Sequence, residues 1–263
     1  MYRGVLFEFA PDNKVIEAHS RLVSTYPQPR PGSTVRLEPL EMLVLAMLSQ
    51  RTTHAFAEQA FANLYREFGD VRAIKRASRA EVERLIEMTT WPDMKAKRLQ
   101  GALAGIEFRR HGALDLAHLY PMSLQEALRW LTVLPGVRYK TAACVLLMST
   151  LHRRILPVDT GHRRLKIRMG LMSPKVGWDD AHGVLLRQLP RTWTVDAIGL
   201  HHDVVKWHSE TTCTAVDPGC DRCPLLDLCT YGKRRVIGLP VEEVARPRRR
   251  SMSDVYQHRL CFD

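Results

Sequence analysis

Apolar positions along the chain recur every three to four residues, and stretches with strand-like alternation are nearly absent. In the clearest case Phe56, Ala60, Phe61, Leu64, Tyr65 and Phe68 are followed by Gly69, which predicts an amphipathic helix with a glycine stop and its aromatic rings in the core. Ser78-Arg-Ala-Glu81 and Ser123-Leu-Gln-Glu126 each place a serine three residues before a glutamate. The serine oxygen can then accept from the glutamate N–H while the carboxylate accepts from the serine N–H, so both read as capping boxes that open helices. The same pattern predicts helices over 39–49, 79–88, 93–109, 124–132, 139–151, 160–169, 179–188 and 194–208, an all-α protein. Stretches rich in proline and arginine bracket this body, at 27–32 and 245–250, and no internal repeat is visible.

With 263 residues the chain can fill one large domain or two modest ones. It has no apolar run near the ~20 residues that a membrane helix needs. The start, Met1 to Phe9, has a short apolar stretch with an acid within it, which predicts no secretory signal and an intracellular protein. Lys and Arg number 39 against 28 Asp and Glu, a net charge of +11, which favours a polyanionic partner. Residues 233–250 carry a net +5 and read equally as a phosphate-binding arm or a solvated tail.

Four of the six cysteines fall in Cys213-x6-Cys220-x2-Cys223-x5-Cys229, while Cys144 and Cys261 stand alone. Such clustering points to metal rather than to a disulfide framework. Four thiolates suit a tetrahedral zinc or an iron–sulfur cube, and the chemistry alone leaves both open.

The segment Leu134-Pro-Gly-Val-Arg-Tyr-Lys140-Thr-Ala-Ala joins two predicted helices. Its turn, with Gly136, Val137 and Arg138, can aim backbone N–H groups at an anion near a helix N-terminus, or can be a plain tight connection. Lys140 stands where the helix dipole disfavours protonation, which predicts some neutral amine able to act as a nucleophile; a solvated lysine is the other reading. Asp159, in Leu156-Pro-Val-Asp-Thr160, either caps the next helix or stabilises a developing positive charge.

Leu-Pro-Gly-Val-x-x-Lys-Thr-Ala, then Val-Asp-Thr, then the cysteine quartet together resemble the helix-hairpin-helix (HhH-GPD) DNA glycosylase superfamily over roughly residues 35–232. The lysine brings the chain nearest the endonuclease III branch. The resemblance implies two helical domains with a DNA groove between them: a six-helix domain with the hairpin over 42–154, an iron–sulfur cluster domain built from 1–41 and 155–232, and a basic tail over 233–263. It implies that Lys140 attacks C1′ of a damaged nucleotide to form a Schiff base, with Asp159 assisting. It also implies that Cys213, Cys220, Cys223 and Cys229 hold a [4Fe-4S] cluster. Flipping a nucleotide out of the duplex requires a filler for the gap. Gln50, Arg51 and Trp91 match the family's wedge segments, Trp91 being equally readable as core, and Arg222 and Lys206 could meet phosphates.

The implied partner is double-stranded DNA with damaged bases or abasic sites, and the implied protein a monomer in the cytoplasm, associated with the nucleoid. The implied activity is removal of oxidised pyrimidines with AP lyase. The alternatives are a monofunctional glycosylase for mispaired adenine or alkylated purine, or a non-catalytic DNA-binding homologue. Three positions depart from the family pattern. Arg138 replaces a second hairpin glycine, which strains the turn if that residue needs a positive φ. Gly161 replaces a histidine beside Asp159, and His54 stands where an acid is common.

Overall fold

The computed structural model describes residues 13–27 and 36–241. The stretch 245–250, Cys261 and all but Pro27 of the 27–32 stretch lie outside the described residues, as does the tail beyond 241. Every regular element among the described residues is helical. The α-helices are α1 (Asn13–Thr25), α2 (Pro39–Leu48), α3 (His54–Phe68), α4 (Val71–Arg76), α5 (Arg79–Leu85), α6 (Pro92–Arg109), α7 (Leu124–Thr132), α8 (Tyr139–Met148), α9 (Thr160–Arg168), α10 (Trp178–Arg187), α11 (Val195–Thr211) and α12 (Thr230–Val236). None of them is long and apolar enough to cross a membrane.

Helix α2 is apolar on nearly every side, and so it lies inside, packed on α8, α3 and α6. Around it α4 and α5 lean on α6, and α7 leans on α8. Helix α1 packs on α11, which packs on α9, and α9 on α12; α11 also touches α8. One apolar core runs unbroken through both groups, from Val15 and Leu22 of α1 through Leu43 and Leu146 to Val205 and Leu225.

Both expected capping boxes are present, Ser78 with Glu81 and Ser123 with Glu126. Helix α3 ends at Gly69, whose φ of 75° suits a residue without a side chain. Its core face is Ala57, Ala60 and Leu64; Phe61, Tyr65 and Phe68 pack against the core edge, but Phe56 is 53% exposed, contrary to the expectation that the whole aromatic stripe is buried. Helix α8 stops at Met148, short of 151, because Ser149 turns extended and its hydroxyl donates to Val145 O at 2.6 Å. Helices α1, α4 and α12 were not expected from the pattern.

Candidate active site and cysteine-lined cavity

The α7–α8 turn closes with the Val137 N–H donating to Leu134 O at 3.1 Å, so this donor already has a partner inside the turn. Gly136 has φ 76°, and a Cβ there would lie 2.9 Å from Arg98 Cβ, so both conformation and space demand glycine. Arg138 is the N-cap of α8 with φ −107° and ψ 176°, ordinary extended backbone. The strain anticipated for an arginine here is therefore absent, because the left-handed residue of the hairpin is Gly136 alone.

Gln50 reaches across to this hairpin, its Nε2 donating to Gly136 O at 3.0 Å and to Thr141 Oγ1 at 3.1 Å. The neighbouring tips are held in unusual backbone: Arg51 has φ 55° and Trp91 has φ 52°. Non-glycine residues adopt such angles only when their surroundings impose them. Here Thr52 and Thr90 stitch the two loops together, the Thr90 N–H donating to Thr52 Oγ1 at 3.1 Å. The Arg51 guanidinium sits 5.4 Å from the centre of the Trp91 ring, and Trp91 is 46% exposed, so its core reading does not hold. Gln50, Arg51, Trp91, Met94, Lys95 and Arg98 surround an open space of about 370 Å³. The three wedge residues singled out by sequence are thus brought together.

Sequence reasoning missed Lys95. Its side chain is buried, Nζ donates to Leu48 O at 2.6 Å and to the Thr52 hydroxyl, and burial pulls the ammonium down to about 8. The signal was available, since Lys95, Leu99, Ala102 and Ile106 share the inward stripe of α6.

Lys140 occupies the first turn of α8, half-buried. The Cys144 thiol one turn on, with Asp159 and Asp203, holds its ammonium above the ordinary lysine value against the opposing effect of burial. This reverses the lowered affinity for protons expected from the helix dipole alone: nearby sulfur and carboxylates outweigh it. Asp159 is the N-cap of α9. Its Oδ1 accepts from the His162 N–H at 2.8 Å and faces His162 Nδ1 at 3.0 Å. Burial would push this carboxyl up, but the His162 ring and N–H, with His202, hold it well below the usual carboxylate range. Asp159 therefore caps α9, as one sequence reading had it, and also interacts electrostatically with Lys140. The His162 ring stacks on that of His202 with centroids 4.7 Å apart and planes 15° from parallel. His54 opens α3 and lies 3.1 Å from Glu58.

Cys213, Cys220, Cys223 and Cys229 line a single space of about 320 Å³ between the end of α11, α9 and α12. Three of the four sulfurs receive N–H groups: Cys213 from Arg168 Nη1 at 3.4 Å, Cys223 from the Leu225 backbone at 3.4 Å and Cys229 from the Gly232 backbone at 3.3 Å. Burial, with the neighbouring thiols, raises Cys220, Cys229 and Cys223, the last to about 11, and so favours their neutral forms in the absence of a cation. Among the described residues no three His, Cys, Asp or Glu side chains form a group that could hold a metal ion. Arg222 lies exposed on the turn of this loop, with its guanidinium folded over Gly219, and Lys206 is half-buried on α11.

Residues 44–184 match the HhH-GPD superfamily base excision DNA repair protein family. An endonuclease III from Synechocystis sp. is 30% identical over 207 residues, covering 76% of this chain and 85% of its own. One from Sulfolobus acidocaldarius is 27% identical over 191 residues, covering 72% and 80%. Among solved structures, a non-covalent endonuclease III–DNA complex superposes with a TM-score of 0.69 at 21% identity, over 87% of this chain and 100% of that one, which shows a shared fold. The hairpin, its lysine and the aspartate cap all lie inside the matched span, and the chain belongs to the HhH-GPD superfamily of base excision DNA repair proteins.

Proposed function

We propose that this chain is a DNA glycosylase with AP lyase activity that removes oxidised pyrimidines from duplex DNA, using Lys140 as the nucleophile. The observation that carries the reading is the placement of Lys140 on the first turn after the hairpin, where it interacts electrostatically with an Asp159 carboxylate kept ionised by two N–H donors. In this reading Gln50, Arg51 and Trp91 fill the gap left by a flipped nucleotide, while the start of α8 and Arg222 hold phosphates. The duplex lies between the helices around α2 and those around α11, taken as two domains, and the protein acts as a monomer.

The ammonium first sheds a proton to solvent. The Nζ lone pair then forms a bond to C1′ as the bond from C1′ to the base breaks, and the base departs with that electron pair and takes up a proton. Loss of a second Nζ proton and opening of the sugar at O4′, which is protonated as it leaves, gives the protonated Schiff base. Removal of a C2′ proton then expels the 3′-phosphate. An aspartate held far below the usual range is a weak base, so Asp159 serves better to stabilise the positive charge building at C1′ than to carry protons.

The cysteine cavity is read as the seat of a [4Fe-4S] cluster held by Cys213, Cys220, Cys223 and Cys229, and the N–H groups on three of the sulfurs suit thiolate ligands. When bound, the group supplies a covalent cross-link between α11, the loop and α12.

The test uses duplexes containing either thymine glycol or an abasic site, treated with borohydride in the presence of wild type, Lys140→Gln or Asp159→Asn. Trapping of both duplexes by wild type and loss in Lys140→Gln is the expected result. Trapping of the abasic duplex alone leaves the lyase and refutes the lesion class. Base release without trapping indicates a monofunctional enzyme, and binding without either indicates a non-catalytic homologue.

A further inference from the structure

Next to Asp159, where the superfamily pattern has a histidine, nothing larger than glycine fits. A Cβ on Gly161 would lie 2.0 Å from Ser209 Oγ and 2.6 Å from Ser209 Cβ. An imidazole is nevertheless present, displaced by one residue along α9. The His162 ring is fully buried beneath the carboxylate, with Nδ1 3.0 Å from Asp159 Oδ1, and its Nε2 is buried with no hydrogen-bond partner. Nδ1 is therefore the ring nitrogen that meets the carboxylate, and it donates its hydrogen to Asp159 Oδ1. The His202 ring stacked against that of His162 has its own Nδ1 3.0 Å from Pro157 O, and burial holds His202 well below the ordinary histidine value.

We propose that His162 is a positioning residue for the superfamily reaction: its Nδ1–H, with its backbone N–H, engages one oxygen of Asp159 and leaves the other as the one presented to substrate. Two donors on a single oxygen fix the rotation of the carboxyl plane, which a helix cap with one donor does not. An apolar side chain at 162 would fill the same space without the stranded Nε2, whose desolvation is uncompensated. The imidazole is therefore explained by its bond to Asp159 rather than by packing. The titratable groups facing this couple are Lys140 from α8 and His201, His202 and Asp203 from α11; Lys206 lies further along α11, and His54 acts on Asp203 from α3.

The inference rests on the proposed lyase chemistry for its kinetic consequence, though not for the hydrogen bond itself. The proteins compared are wild type, His162→Phe and His162→Leu, which keep an apolar filler without a donor, and His162→Asn, whose amide can stand where Nδ1 stands. In single-turnover trapping on an abasic duplex, Phe and Leu are expected to lower the rate about tenfold at unchanged duplex affinity, the size of one lost hydrogen bond to a charged group, and Asn to restore it. Carbon-13 NMR of labelled aspartate, with Asp159→Asn for assignment, is expected to show the Asp159 carboxyl titrating about one pH unit higher in the folded Phe or Leu protein. Wild-type rates in both donorless variants, or an unmoved carboxyl titration, would overturn the proposal. If wild type fails to trap, the lyase reading falls, while the titration still decides whether His162 holds Asp159.

Discussion

Gly161 and Ser209 make a prediction that separates packing from every other property of this site. Replacing Gly161 by alanine places a methyl 2.6 Å from Ser209 Cβ, an atom fixed by the α11 backbone, so α9 and α11 must move apart. Overpacking of this kind costs about 1–3 kcal/mol. Alanine is preferred to glycine inside a helix by about 1 kcal/mol, which partly conceals the cost in the single variant. Ser209→Gly alone removes a hydroxyl bonded to Lys206 O at 2.7 Å and puts glycine inside α11, for a loss of about 1 kcal/mol. In the double variant the methyl has room, so these local costs remain while the clash is relieved. Urea unfolding of the four proteins should give a coupling energy of about 2 kcal/mol in the sense of rescue. For a chain of this length that corresponds to a recovery of roughly 4–8 °C in Tm over additivity. A coupling below about 0.5 kcal/mol, or a Gly161→Ala protein more stable than wild type, would refute the close packing of α9 on α11.

Two further outcomes follow from groups already placed. Lys95 is buried and its folded value of about 8 lies below the 10.5 of a free lysine, so between these values the unfolded chain binds more protons than the native one. Stability should rise as pH increases from 8 to 10.5, by about 3 kcal/mol from this group, and that rise should vanish from urea titrations of Lys95→Met. Cys223→Ser should lower both bound iron and visible absorbance in the purified protein and reduce its thermal stability; iron content and Tm equal to wild type would refute the cluster reading of the cysteine cavity.

Most helices with a regular apolar stripe, and those opened by a serine–glutamate pair, were legible in the sequence because their signals are local; α1 was overlooked although Val15, Ala18 and Leu22 form its inward stripe. Helices α4 and α12 were not legible: each spans about two turns and buries only a narrow face, so periodicity has too few residues to register. That Lys140 stands at the start of a helix, that Asp159 can cap the next one and that four cysteines cluster was legible in the sequence, while the roles expected of them came from the family resemblance. Their electrostatics were not legible, since the proton affinity of Lys140 is set by Cys144, Asp159 and Asp203, and the last two come from different helices. Arg138 shows the same limit in reverse: the strain anticipated from a missing glycine depended on φ, and the turn concentrates its left-handed angle at Gly136. The bond from His162 to Asp159 lay within three residues of sequence, yet its meaning depends on Ser209 occupying the space beside Gly161.

If Arg51 and Trp91 meet DNA as proposed, their left-handed backbone and threonine stitching bear on how quickly this surface can engage a duplex. Holding two such residues takes about 1–3 kcal/mol each from the stability of the fold. That sum is met once, when the chain folds, and not at each encounter. A loop free to sample many shapes would surrender its entropy every time it docked, and would slow or weaken each contact accordingly. Tips that are already preorganised can test one position on a long polymer, release it and test the next without refolding, which suits a protein whose targets are rare among intact sites.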